Sequence, residues 1–337
     1  MARRLERRYA GLNAFVIRAG LKQFLFVFGA AAAAAAPPVL TPGPSIAIDD
    51  VHGKFGLLTL DPVANRLLGS HVNDDIAEIF DLAANQLIAR VEVGPVVALA
   101  VDPKSGRYFA SVQDDRRIAV IDGTTLRETG SIPLPGETGA LLFEPAHRRL
   151  YVAADGAKSL WVVDPDACKL VRTISVPEDP EEMVWDARTG RIYLTSSATS
   201  KVSVIDAKAN AVVAHWPTAP AVGGRGVALD PARDRLFVAG DNGHLVAFDL
   251  ETGRVVATAA IGKHVGQIAF DADLRRLYCA GPDWMYPIDC AGTGLVALEK
   301  NYTAASATNV VIDPKTHAVW TTFTDGEDSF AKSWSWR

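Results

Sequence analysis

The chain has 337 residues, 49% of them hydrophobic and 22% charged, which is ample apolar material for a large core and excludes a disordered polymer. Its net charge of −5 and pI near 5.8, with basic residues scattered beyond position 22, supply no stripe for phosphate backbones and argue against nucleic acid as a partner. Three cysteines, Cys168, Cys279 and Cys290, cannot all pair in one molecule, and without a C-x-x-C spacing they read as buried or edge thiols.

In chain order the first element is a leader. Arg3, Arg4, Arg7, Arg8, Arg18 and Lys22 precede "QFLFVFGAAAAAAA" and then "PPVLTPGP". A positive start, a short apolar run and small residues at its end describe a secretory signal peptide. Arg18 and Lys22 leave a run shorter than the ~20 apolar residues of a membrane span. Residues 1–43 are therefore expected to be signal peptide and linker, placing the protein in the periplasm or outside the cell. The membrane is met only through an uncleaved leader.

After the leader one pattern recurs. "LTLDPVANRLLGSH", "LAVDPKSGRYFASV", "LLFEPAHRRLYVAAD", "MVWDARTGRIYLTS", "VALDPARDRLFVAG", "IAFDADLRRLYCAG" and "VIDPKTHAVWTTF" are seven copies of one unit. The acidic residue ending the first strand of each copy is Asp61, Asp102, Glu144, Asp186, Asp230, Asp271 or Asp313, at spacings of 41, 42, 42, 44, 41 and 42. Five residues later stands Arg66, Arg107, Arg149, Arg191, Arg235 or Arg276, with Ala318 the departure. A second acidic series, Asp81, Asp122, Asp164, Asp206, Asp249 and Asp289, follows 18 to 20 residues after the first, with Ser333 in the last copy.

Each copy reads as four strands, with Val, Ile, Leu, Tyr and Phe on both alternate positions of the middle two, so both faces of every sheet are covered. Four-stranded units of 40 to 45 residues stacked face to face describe an all-β, seven-bladed β-propeller. No interval holds a sustained 3.6-residue apolar period, so helices should be scarce. The last copy stops one strand short, and "SIAI" before the first copy sits where other copies place a fourth strand. Residues 45–49 are therefore expected to form the outer strand of blade seven and close the ring, which removes an exposed edge. Seven repeats of 42 account for the whole propeller, residues 44–337.

"RRLYVAADGAKSLWVVDPDACK" and "GRIYLTSSATSKVSVIDAKANAVVA" resemble the YVTN-type repeat of the YncE-like β-propeller family, with Tyr151-Val152 and Tyr193-Leu194 at its aromatic-aliphatic position. The resemblance covers everything after the leader. It implies an exported propeller and leaves the biochemistry open, because fold does not fix function.

A residue that every blade repeats serves the blade. An Asp ending a strand accepts N–H groups in the next turn, and the Arg five residues on faces it across the hairpin. Function is sought where the copies differ, at the channel mouth, where each fourth strand leads into the next blade. Four residues before each marker stand Leu57, Ala98, Ala140, Glu182, Gly226, Gln267 and Asn309; one residue earlier stand Gly56, Val97, Gly139, Glu181, Arg225, Gly266 and Thr308. The mouth should be apolar over blades one to three and polar over blades four to seven. Glu181, Glu182, Arg225, Lys263, His264, Gln267 and Asn309 are the candidate site, with Arg225 a forked donor to a small polar or anionic ligand or a partner's side chain.

The rival reading pairs Arg225 with Glu181 or Glu182 around a water-filled channel. No G-x-S-x-G or phosphate-cradling loop is present, no cofactor is expected, and His52, His71 and His264 lack metal-ligand spacing. The leading expectation is a monomeric binding module for an unidentified ligand or protein. The alternative is a propeller enzyme, a metal-dependent lactonase or hydrolase or a dehydrogenase subunit, working at the same mouth, with Glu182, Asn309 and Asp325 the nearest substitute for a ligand ring.

Overall fold

A computed structural model describes residues 39–51 and 53–337; residues 1–38 of the expected leader and His52 lie outside the described residues. Seven antiparallel sheets follow one another around a ring, each with an inner strand, two largely buried middle strands and an outer strand, which in blade six is split into Val296–Ala297 and Asn301–Tyr302. Blade three shows the plan: Thr138–Glu144, Arg149–Ala154, Ser159–Asp164 and Lys169–Ser175 pair in that order. Its two middle strands are buried on both faces, and its outer strand is exposed except at Leu170 and Ile174. The only helical turn among the described residues is Pro231–Arg233.

The ring closes as the sequence predicts. Leu40–Ile48 pairs antiparallel with Asp328–Trp336 and becomes the outer strand of blade seven, beside Val319–Asp325 and Val311–Ile312. The strand begins before the expected position: Leu40, Thr41 and Pro42 already face Trp336, Ser335 and Trp334. A bulge between Pro42 and Ser45 carries the chain past Ser333. Gly43 sits there because a Cβ would lie 2.6 Å from the Ser333 Oγ.

The core is divided among the seams. Seven apolar clusters each join two neighbouring blades, from Leu68 and Ile79 against Leu99 and Tyr108 at the first seam to Ile46 and Trp320 against Leu67 and Phe80 at the closing one. Each seam buries several large side chains, at about 1.5–3 kcal/mol apiece, so the ring rather than the isolated blade is the stable unit. The repeated aromatic of the second strand works in these seams. Tyr151 is fully buried and its hydroxyl donates to Asn210 Oδ1 at 2.8 Å, in the next blade.

Both acidic series hold turns. Asp61 Oδ1 accepts the N–H groups of Val63 and Ala64, and Asp164 Oδ1 those of Asp166 and Ala167. Marker and arginine are cross-strand partners, as in Asp61 with Arg66 and Asp230 with Arg235. Several of these arginines, however, form their ion pair with the second series: Arg149 with Asp164 at 3.2 Å and Arg235 with Asp249 at 2.9 Å. The loops left over, between second and third strands and between blades, gather at the mouth face.

Candidate functional site

The inner strands of blades four and five, Pro180–Asp186 and Gly224–Asp230, carry the charged part of the mouth. Glu181 and Glu182 sit at a register irregularity between Pro180 and Met183, and their side chains have different surroundings. Glu182 turns into the channel and lines a cavity of about 140 Å³ together with Leu57, Ala98, Ala140 and Gln267. Apart from Thr59 the side of this cavity from blades one to three is apolar, and Glu182 and Gln267 supply the polar groups opposite. Burial pushes the Glu182 carboxyl well above the ordinary range, the neighbouring Glu181 adds to the rise, and Arg225 opposes it.

Glu181 turns toward blade five. Its carboxyl is also raised, again chiefly by burial, with Arg225 and Ser197 pulling it back. Arg225 lies between two carboxylates, its Nε 4.0 Å from Glu181 Oε1 and 4.0 Å from Asp241 Oδ1. Those are ion-pair distances beyond hydrogen-bond reach, and the side chain is 49% exposed. The backbone below it is firmly held, since the Arg225 carbonyl accepts the Thr195 hydroxyl of blade four at 2.7 Å.

Asp241 connects this group to the next loop. Its Oδ1 lies 3.2 Å from His264 Nδ1, and its carbonyl accepts the His264 N–H at 3.0 Å. His264 adopts φ 57° and leaves its ring largely in solvent. Lys263 stands beside it and forms no ion pair among the described residues. Glu181, Arg225, Asp241, His264 and Lys263 therefore form one rim patch with Glu182 beneath it. Asp241 escaped the sequence reading because it sits just past a second strand, where no repeated position marks the mouth.

Gln267 and Asn309 reach the mouth but spend their amides within the ring. Gln267 Oε1 accepts from Leu58 N–H at 3.2 Å and Val310 N–H at 3.1 Å, and its Nε2 donates to Leu58 carbonyl at 2.9 Å. One side chain of blade six thereby ties blades seven and one. Asn309 is 1% exposed and holds Thr322 N–H at 2.8 Å, the Thr322 hydroxyl at 2.9 Å and the Gly56 carbonyl at 3.2 Å. Close approach of neighbouring inner strands also explains Gly226, where a Cβ would lie 2.6 Å from the Gly266 carbonyl.

The histidines stay apart. His71 is fully buried in blade one, edge-on to Phe55 and 2.7 Å from Asp74, whereas His264 is on the rim. His52 lies outside the described residues. Among the described residues no group of three or more His, Cys, Asp or Glu side chains is placed to hold a metal ion.

No protein-family model matches the chain, and no curated protein matches it. Solved structures do. A chain of the mitotic checkpoint complex superposes with a TM-score of 0.76 at 10% identity, covering 96% of this chain and 98% of that one. The WD40 repeats of RRP9 give 0.73 at 8% identity over 88% and 99%. A chain of hydrazine synthase from Kuenenia stuttgartiensis gives 0.71 at 16% identity over 84% and 98%. At these identities the likeness is one of fold: the chain is a seven-bladed β-propeller with WD40-type structural neighbours.

Proposed function

We propose that the protein is an exported propeller of the YVTN type that binds a small polar or anionic ligand, or a partner's acidic side chain, at the rim of blades four to six. Arg225 carries the reading. Its guanidinium is half exposed, sits on a rigid strand, and is flanked by two carboxylates too distant to engage its donors, so a forked acceptor entering the mouth meets a positioned fork. Lys263 and the exposed His264 ring extend the rim beside it, and the Glu182 carboxyl lies below. The basic leader followed by an apolar run supports export.

The test is a melting-temperature screen of small carboxylates, phosphates and neutral polar compounds at fixed ionic strength. A compound that stabilises the wild type through this rim loses its effect in Arg225→Ala, a substitution at a half-exposed position that leaves the seams intact. If every shift survives in that variant, the rim is not the site.

One observation favours a second reading, a propeller enzyme at the same mouth. A Glu182 carboxyl that burial and the neighbouring Glu181 shift upward, beside a confined cavity, is the kind of group from which a general acid is made. Stoichiometric divalent metal in protein purified without a His tag, lost on mutating Glu182 or Asn309, would move the assignment to that enzyme class.

A further inference from the structure

The repeat contains its own control for a second site, on the face opposite the mouth. Between blades two and three, Asp166 receives Arg148 Nε at 2.9 Å, Arg148 Nη2 at 3.1 Å and the Arg107 Nη2. Arg107 Nη1 reaches the adjacent Pro165 carbonyl at 3.4 Å, and Arg148 also forks onto Asp102. Two arginines and two carboxylates balance.

Between blades five and six a similar framework recurs, with Asp166 replaced and the second arginine supplied from another position of the repeat. Arg275 stands where Arg148 does, four residues past its marker, over Phe270 as Arg148 lies over Phe143. It forks onto Asp230 as Arg148 forks onto Asp102. Arg233 takes the role of Arg107 and donates Nη1 to the carbonyl of Cys290, the counterpart of Pro165, at 3.1 Å, and also to the carbonyls of Ala291 and, at 3.3 Å, Gly292, which leaves its Nε and Nη2 for a ligand. The position of Asp166 is Ala291, whose N–H still caps onto Asp289 at 2.7 Å as that of Asp166 caps onto Asp164 at 3.0 Å.

Three features accompany that exchange. Arg275 Nε, the group whose counterpart meets Asp166, is buried with no hydrogen-bond partner. Arg235 is neutralised by Asp249 and Arg275 by Asp230, so Arg233 leaves an excess positive charge. The turn after Asp289 is also longer: Asp289 pairs with Val296, whereas Asp164 pairs with Lys169. Its Gly292 and Gly294 help line a cavity of about 340 Å³ with Arg233, Arg235 and Arg275.

We infer that this cavity binds a small oxyanion, a carboxylate or phosphate group, in the place that the Asp166 carboxylate takes between blades two and three. Burying a charged donor without an acceptor is costly, and a bidentate oxyanion between Arg275 Nε and Arg233 satisfies it. The site is separate from the Arg225 rim.

The experiment follows the melting temperature of the full chain titrated with sodium acetate, sodium succinate and inorganic phosphate, each against sodium chloride at equal ionic strength. At least one oxyanion is expected to raise it saturably by about 2–4 °C, and the arm that responds distinguishes carboxylate from phosphate. Ala291→Asp rebuilds the blade-three arrangement and is expected to abolish the shift. Arg233→Gln, at an exposed position, is expected to weaken binding at least ~10-fold, the scale of one lost charged hydrogen bond, and decides the matter if the first variant does not fold. Arg225→Ala is expected to keep the shift, which separates this site from the rim. Absence of any oxyanion-specific shift in the wild type, or an equal shift in Arg233→Gln, overturns the proposal.

Discussion

Arg148 of blade three forks onto Asp102 of blade two, Nη1 to Oδ1 at 3.2 Å and Nη2 to Oδ2 at 2.7 Å, across a seam where Asp102 has no exposed surface. Burial by itself would raise the Asp102 carboxyl; hydrogen bonds from Arg148, Ser105 and the Lys104 N–H together outweigh it and hold the group down to about 2. Arg148→Ala strands a buried carboxylate and is expected to cost about 3 kcal/mol, read by urea denaturation at pH 7. Because the folded value lies below the unfolded one, this contribution is complete above about pH 4 and fades as pH falls toward 2. The gap between wild type and variant should narrow over that interval. A constant gap would mean that Arg148 acts by packing on Phe143 alone.

Glu78 behaves in the opposite sense. It is fully buried on the third strand of blade one, neither carboxyl oxygen has a hydrogen-bond partner, and burial raises it to about 8, with Arg90 opposing and Asp74 reinforcing the shift. A raised acid favours the folded state fully below its unfolded value of about 4.5 and loses that advantage as pH climbs through 8. The wild type should therefore lose stability between pH 5 and 8, by on the order of 1–3 kcal/mol. Glu78→Gln should flatten that slope. Parallel stability curves for the two proteins over this range would show that Glu78 is ionised in the fold.

What could be read in advance followed from repetition. Tyr151, Tyr193 and Tyr278 recur at one register, so blade number, strand order and the returning strand of blade seven were all legible from spacing. Relations between blades were not, because the side chains that cross a seam differ at each crossing. The position of Arg148 is Asn65, Gly106, Gly190, Asp234, Arg275 and His317 in the other copies, a column without a common chemistry. His317 nonetheless meets Asp271 at 2.9 Å by the same geometry. At the mouth, Arg225 and Glu181 were legible as neighbours because inner strands stack in order. The commitment of Gln267 to Leu58 was not, since it reaches past blade seven.

That commitment makes Gln267 a structural residue with a measurable weight. Gln267→Ala removes the acceptor of two backbone N–H groups and the donor to one carbonyl, in blades seven and one at once, within partly buried surroundings. The expected loss is about 2–4 kcal/mol, since orphaned buried groups cost more than the bonds they made contributed. Gln267→Glu keeps the acceptor and turns the third contact repulsive, so it should fall between. A loss below about 0.5 kcal/mol in the alanine variant would place water in the role assigned to the amide.

Ring closure is testable at the other end of the same seam. Leu40–Ile48 covers Asp328–Trp336 along nearly its full length, and Leu40, Ile46 and Ile48 are buried in doing so. A chain starting at Asp49 would leave a nine-residue strand as an open edge, with Trp334 and Phe330 uncovered beside it. Such an edge recruits other strands, so this truncation should melt at least ~5 °C below a chain starting at Pro38 and associate on standing. Light scattering after size exclusion reads the second effect. A monomer with an unchanged melting temperature would show that the other six seams and the inner strands of blade seven hold the ring without the returning strand.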